Sequence, residues 1–341
     1  MGRILLEKDL SEYLKIDCDK VAFDLPDKFV APISLIWEIT GKCNSNCVYC
    51  SGSFPIKVVE LSKKEKIELA KEICNMGVFM ICLSGGEPLT NEDLLDIVPI
   101  FLENNVDVMV CTSGYMIDYK ILDELLKMGR IAFNISIDSV RESINDYQRG
   151  RNGAYDAAIN LVDYIRKNER VPSFISIEAV ATKKNYTYMA ELVKFFNEKY
   201  GINEVRIQPV VTMNTKVVEK GLEIHQEEFQ ECQKAVNDFI EEYNAKMNVD
   251  ERTVNTCVRF INQFKLIETG LKTGRTWGGV ITPEGNFLLS VYLPENLGNV
   301  YQKGSFKQSW DKKFANAWLD VRKKSEITSL NSVYDIKKLY V

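Results

Sequence analysis

Histidine is nearly missing from this 341-residue chain, with His225 its single instance. A His-based triad or a multi-histidine metal site therefore cannot be built, and a hydrolase would need another base. An excess of positive charge is missing as well. The chain has 43 Lys and Arg against 48 Asp and Glu, a net charge of −5 and a pI near 5.3, so nothing draws it generally to nucleic acid or an anionic membrane. No apolar run approaches the roughly 20 residues of a membrane span, and Met1–Asp9 reaches charge too soon for a secretory signal. A disulfide framework is also lacking: Cys18, Cys74, Cys82, Cys111, Cys232 and Cys257 are scattered, as a reducing compartment permits. These absences lead to the expectation of a cytoplasmic protein with no membrane or nucleic-acid partner.

The remaining thiols are concentrated. Cys43-Asn44-Ser45-Asn46-Cys47-Val48-Tyr49-Cys50 sets three of them within eight residues. Thiolates suit zinc or iron–sulfur clusters, and a closed zinc site wants four ligands. Three would leave one iron of a [4Fe–4S] cluster open to a small molecule. The other reading of the loop is a zinc-binding scaffold protein that borrows a distant ligand.

The surrounding pattern is strand–helix alternation. Ile33–Thr40 alternates as a strand and runs directly into the cysteine loop. Ser62 and Glu65 have capping-box spacing before a helix that ends near Gly77. Strands then follow at 78–83, 106–112, 131–137, 174–182 and 205–211, separated by helices at 92–104, 119–128, 154–167 and 188–200. Six strands with five intervening helices predict a parallel α/β sheet, two units short of a full barrel. Residues 1–32 read as a lead-in with a helix near Leu5–Leu14, too short for a separate peptide-binding domain, and 213–256 as a helical linker.

Chemistry gathers in the loops after such strands. The second strand ends in Ser84-Gly85-Gly86-Glu87-Pro88, where glycines let backbone approach a ligand and Glu87 can hold an ammonium. The third ends in Thr112-Ser113-Gly114, the fourth in Ser136-Ile137-Asp138, and the sixth carries Gln208; Arg149 follows in Asp146-Tyr147-Gln148-Arg149-Gly150.

Taken together, the Cys-x3-Cys-x2-Cys spacing with Tyr49 before its last thiol and the Gly-Gly-Glu-Pro about 35 residues on resemble the radical S-adenosylmethionine (radical SAM) enzymes. The likeness runs from about 33 to 211. It implies a partial (β/α)6 TIM-like barrel over 33–212, with Cys43, Cys47 and Cys50 holding one [4Fe–4S] cluster at its mouth. S-adenosyl-L-methionine would bind the open iron and be cleaved to a radical that takes hydrogen from substrate. Cofactor contacts are carried over onto Tyr49, Gly85, Gly86, Glu87, Ser113, Ser136, Asp138, Arg149 and Gln208, with Arg149 gripping the methionyl carboxylate. Ser113 departs from the family's usual Asn.

From Gly279 a hairpin turning at Pro283-Glu284-Gly285 and a helix near 306–323 resemble the SPASM or twitch extension of that family, a smaller α+β unit over 257–341. Ser290 stands where that pattern places cysteine, and 258–341 contain none, so an auxiliary cluster is not expected. Redox-neutral outcomes such as epimerisation then gain weight, with Cys257 and Cys111 as hydrogen-donor candidates. The resemblance implies a peptide substrate in natural-product maturation or, as the alternative, a small metabolite. It also implies an electron donor such as flavodoxin or ferredoxin, and a separate peptide-carrier protein or direct leader binding.

Overall fold

The computed structural model describes residues 30–50, 59–169, 173–211, 215–246, 257–260, 278–291, 293–302 and 304–328. The expected helix near Leu5–Leu14 and the chain after 328 lie outside the described residues. Among the described residues no helix is long and apolar enough to cross a membrane.

The strand–helix alternation is realised. In chain order the elements are β1 (Ser34–Thr40), α1 (Lys63–Met76), β2 (Met80–Gly85), α2 (Leu94–Glu103), β3 (Asp107–Thr112), α3 (Tyr119–Met128), β4 (Ile131–Ser136), α4 (Glu142–Arg149), α5 (Ala154–Asn168), β5 (Phe174–Ala181), α6 (Met189–Tyr200) and β6 (Glu204–Pro209). Each consecutive pair of strands from β1 to β6 is parallel. The capping box of α1 forms as spaced, Ser62 N donating to Glu65 Oε2 at 2.8 Å while Glu65 N donates back to Ser62 Oγ. The short helix α4 is absent from the periodicity reading because Glu142–Arg149 is polar around most of its circumference.

Alternation along each strand sorts the sheet into two faces. Leu35, Trp37 and Ile39 of β1, Ile81 and Leu83 of β2, Phe133 and Ile135 of β4, and Ile177 and Ala179 of β5 are buried in the main core. Each large apolar side chain so buried contributes about 1.5–3 kcal/mol. The other face is polar, with Glu38, Cys82, Cys111, Asn134, Ser136, Glu178, Arg206 and Gln208 on alternate positions of successive strands. Side chains on this second face come from all six parallel strands.

The barrel stays open because further strands occupy both of its edges. β7 (Cys257–Phe260) lies outside β6, and β8 (Val280–Ile281) lies outside β1, followed by β9 (Asn286–Ser290) and β10 (Leu293–Asn299). β7 pairs in parallel with β6, so the strand that opens the 257–341 segment adds to the barrel sheet. The expected hairpin turn forms, with Gly285 N donating to Thr282 O at 2.9 Å. Phe287 of β9 packs on Phe306, Trp310 and Phe314 at centroid distances of 5.0, 6.4 and 5.8 Å, which joins the hairpin to the C-terminal helices. The edge strand β10 is guarded, its Leu297 carbonyl accepting from Lys313 Nζ at 2.7 Å. Glu72 of α1 accepts from the backbone N–H groups of Gly304, Phe306 and Lys307, docking those helices on the barrel.

Phe287→Ala is expected to cost about 3–5 kcal/mol, because it empties a fully buried aromatic site. Chemical denaturation followed by tryptophan fluorescence would measure it, through Trp310.

Candidate active site

The cysteine loop has almost no secondary structure of its own, so its backbone groups must find partners elsewhere. Two neighbours supply them. From the end of β2, Gly86 N donates to Thr40 O and Glu87 N to Lys42 O, both at 2.7 Å. From α4, the carbonyls of Arg149 and Gln148 accept from Asn46 N at 3.1 Å and Val48 N at 2.9 Å. Contact is close enough that a Cβ on Gly86 would lie 2.0 Å from Lys42 O, and one on Gly150 the same distance from Asn46 O. Gly150 also has φ +65°, which a side chain disfavours. Arg151 Nε donates to Asn44 O at 2.8 Å, and Asn44 Nδ2 to Met116 O at 2.7 Å.

Gly85 and Gly86 thus admit the loop's own backbone, with a Cβ on Gly85 meeting Thr40 O at 2.4 Å. The N–H groups of Gly86 and Glu87 are spent on the loop. Glu87 points inward. Its carboxylate is buried and accepts from Leu89 N, Thr112 Oγ1, Ser113 N and Ser113 Oγ at 3.2, 2.7, 2.9 and 2.7 Å. Glu87 and Ser113 therefore brace the loop's underside.

A second network joins Tyr49, Asp138 and Arg149. Tyr49 Oη donates to Asp138 Oδ2 at 2.5 Å, and Val180 N donates to Oδ1 at 2.8 Å. Burial holds the Tyr49 phenol well above its ordinary value, keeping it a donor. Arg149 Nη2 lies 3.2 Å from Oδ1, and Nε 3.0 Å from Oδ2 without hydrogen-bond alignment. Arg149 Nη1 reaches Cys47 Sγ at 3.9 Å.

Cys43 is exposed, and Cys47 and Cys50 are half-buried. Among the described residues no group of three or more His, Cys, Asp or Glu converges as a single ion requires. A cluster spreads its ligands over several irons, and three soft donors from one loop suit it. Burial pushes the Cys43 and Cys47 thiols up, so the thiolates need a nearby cationic partner, which the iron of a cluster supplies. The loop fits such a group.

The inner wall carries the remaining residues. Cys111 Sγ lies 3.2 Å from Cys82 Sγ and accepts from Asn134 Nδ2 at 3.6 Å. Asn134 also donates to Glu178, which accepts from Gln208 Nε2 at 3.1 Å. Below this belt Arg206 pairs with Glu204 at 2.7 Å and crosses to Met109 Sδ at 3.6 Å. Ser136 is half-buried at the end of β4, in register with Glu178. Cys257 aligns with Glu204, the first residue of β6, so the register sets it about 16 Å of strand rise from the mouth. Asn134, Glu178 and Arg206 were missed as site residues; their signal is a polar side chain on one face of strands whose other face is apolar.

A family model for the radical SAM superfamily matches residues 37–196. The chain thus carries a radical SAM domain over 37–196. It is 30% identical over 168 residues to the AdoMet-dependent heme synthase of Methanosarcina barkeri, covering 49% of this chain and 46% of that one. It is 30% identical over 162 residues to the mycofactocin maturase MftC of Mycolicibacterium smegmatis, covering 47% and 41%. The chain therefore spans less than half the length of those two relatives. In fold it resembles Streptococcus suis SuiB bound to S-adenosylmethionine, with TM-score 0.70 at 17% identity over 96% of this chain and 76% of that one. SuiB bound to its precursor peptide SuiA gives TM-score 0.69 at 17% identity over 92% and 71%. These neighbours share the open, parallel-stranded barrel.

Two outcomes test the geometry. Gly86→Ala forces the two backbones apart; about four irons per chain in the wild type should fall by more than half, measured after anaerobic reconstitution. The second concerns Glu38, whose carboxyl burial and then the Glu284 charge push up from 4.5 to about 7. A carboxyl raised on folding contributes stability that is full below about pH 4.5 and lost as pH rises to about 7. Glu38→Gln should therefore match wild type in urea unfolding near pH 4.5 and exceed it above about pH 7.

Proposed function

We propose that this chain is a radical SAM enzyme that modifies a peptide by hydrogen abstraction. Cys43, Cys47 and Cys50 would hold one [4Fe–4S] cluster, and S-adenosylmethionine would bind beside them at the barrel mouth. When bound, the pair supplies one-electron cleavage of a carbon–sulfur bond and the hydrogen abstraction that follows. The observation that carries this reading is the three-thiol loop clamped at the strand C-termini between Gly86 and α4. No other described feature gathers soft ligands above a polar chamber.

The protein's own residues have positional work. Glu87 with Ser113 and Asp138 with Tyr49 hold the loop from two sides, while Ser136 and Gln208 face the space into which a cofactor or substrate projects. Arg206 closes the chamber beneath, so entry is from the mouth. The C-terminal hairpin and helices belong to the extension over 257–341, which would hold no auxiliary cluster, with 33–212 as the barrel. A low-potential electron donor of the flavodoxin or ferredoxin class and a reducing cytoplasm complete the requirements, and a separate carrier would present the peptide.

Peptide is favoured because MftC is a maturase and SuiB is solved with a precursor peptide. The likeness to a heme synthase favours the second reading, a small metabolite in the same chamber.

With S-adenosylmethionine and dithionite, the reconstituted wild type should form 5′-deoxyadenosine and the Cys43→Ala/Cys47→Ala/Cys50→Ala variant none, read by mass spectrometry. Zinc in place of iron, with no S-adenosylmethionine bound, would overturn the reading. Deuterated cell extract split by size then separates the substrates. Deuterium in 5′-deoxyadenosine from the peptide pool supports a peptide, and from the small-molecule pool the metabolite.

A further inference from the structure

Resting on the iron–sulfur reading, we propose that an acidic electron-transfer protein of the flavodoxin class docks on the face formed by Tyr147, Lys184 and Lys220. This face lies beside the cysteine loop, and the reducing electron enters there.

Three observations carry this. First, three separate segments converge on one exposed ring. Tyr147 of α4 is exposed, whereas its neighbours Gln148 and Arg149 are buried. Lys184, from the turn after β5, has its ammonium 4.7 Å from the centre of that ring, and Lys220, from the segment after β6, has its own at 5.6 Å. The segments are fastened to one another: Thr182 Oγ1 donates to Gln148 Oε1 at 2.7 Å, and Lys183 N donates to Leu222 O at 3.1 Å. The ring and the two cations therefore form one surface.

Second, the charge on this surface is uncompensated. Among the described residues no carboxylate is ion-paired with Lys184, Lys220 or the nearby exposed Arg151. Asp146 of α4 is spent on the N–H groups of Gly153 and Tyr155, at 2.6 and 2.8 Å, and Glu228 is taken by Lys183. Glu219, next to Lys220 in the chain, forms no ion pair with it. A chain of net charge −5 repels an acidic partner in general, so a local excess of positive charge selects where such a partner lands. An exposed tyrosine among those cations supplies the kind of aromatic anchor that interfaces favour.

Third, the surface adjoins the thiol loop. The carbonyls of Gln148 and Arg149 accept from Val48 N and Asn46 N, the two residues that flank Cys47, and Arg151 Nε donates to Asn44 O. A carrier seated on Tyr147 is thus one helix residue and one hydrogen bond from the loop. One electron passes from the flavin hydroquinone, which becomes the semiquinone, to the cluster, and no bond forms or breaks. An acidic segment of a peptide substrate would meet the same charges but would deliver no electron.

The test uses the anaerobically reconstituted full chain. Calorimetry measures binding of an acidic flavodoxin, and freeze-quench electron paramagnetic resonance follows cluster reduction by that flavodoxin's hydroquinone, in excess over the cluster but below its dissociation constant. Lys184→Glu/Lys220→Glu should weaken binding about tenfold or more at low salt and slow this reduction by a similar factor. Both differences should shrink to about threefold or less near 0.5 M salt, where charges are screened over a few ångströms. Reduction by dithionite should stay within about twofold of wild type. Lys64→Glu/Lys71→Glu on α1 changes the net charge equally and should bind flavodoxin as wild type does. If the charge reversal fails to fold, Lys184→Gln/Lys220→Gln should show a loss of about threefold in both readouts.

A wild type with a dithionite-reducible cluster and no affinity for flavodoxin overturns the docking assignment, as does equal loss of affinity in the α1 variant. Unchanged affinity in Lys184→Glu/Lys220→Glu does the same. Weakened binding at an unchanged rate of reduction also overturns it and leaves the face to an acidic substrate segment. A wild type that builds no cluster overturns the underlying reading instead.

Discussion

Everything at the mouth of this barrel depends on how an irregular ten-residue segment after β1 satisfies its backbone. The loop that carries Cys43, Cys47 and Cys50 forms neither helix nor strand, so its backbone gains few partners from within. Its amides and carbonyls are therefore paired with β2 on one flank and α4 on the other. Both flanks end in glycine-containing turns, since any side chain at Gly86 or Gly150 would occupy the space of a loop carbonyl. The loop's shape is thus borrowed from elements more than 40 and 100 residues away.

The ion pair behind the loop adds a charge constraint to this steric one. Arg149 and Asp138 have side chains 9% and 0% exposed, where removing one partner typically costs about 3–5 kcal/mol by stranding the other. Such a pair is a poor way to gain stability, since apolar residues of similar volume often do as well. Its guanidinium also reaches Cys47 Sγ at 3.9 Å, so the pair lies directly against the loop. The inner wall is polar as well: Cys82, Cys111, Asn134, Glu178 and Gln208 satisfy one another across five strands, while the sheet's other face is largely apolar.

Much of this was legible from residue order. The six strands announced themselves through β-branched alternation, the capping box at Ser62 located the start of α1, and the spacing of Cys43, Cys47 and Cys50 named the ligand chemistry. Less legible was the direction of individual side chains. Glu87 reads as a ligand-facing carboxylate in Gly-Gly-Glu-Pro, yet it turns inward because Thr112 and Ser113 offer it three hydrogen bonds from β3. Arg149 reads as a fork for a carboxylate, and it does meet one, but the carboxylate is Asp138 of the same chain. Cys257 reads as a hydrogen donor in a cysteine-poor tail, and the register of β7 sets it toward the far end of the sheet.

The sequence by itself determined the periodicities, the thiol spacing and the lack of histidine, because these depend on residues near one another along the chain. From them come the parallel α/β class, the soft-ligand loop and the exclusion of His-based chemistry. Only the tertiary structure decided which partner each polar group meets, because Asp138, Arg149, Tyr49 and Glu87 are brought together by strand register and helix docking across tens of residues. A hydrogen bond is directional over about 3 Å, and no one-dimensional pattern carries that information.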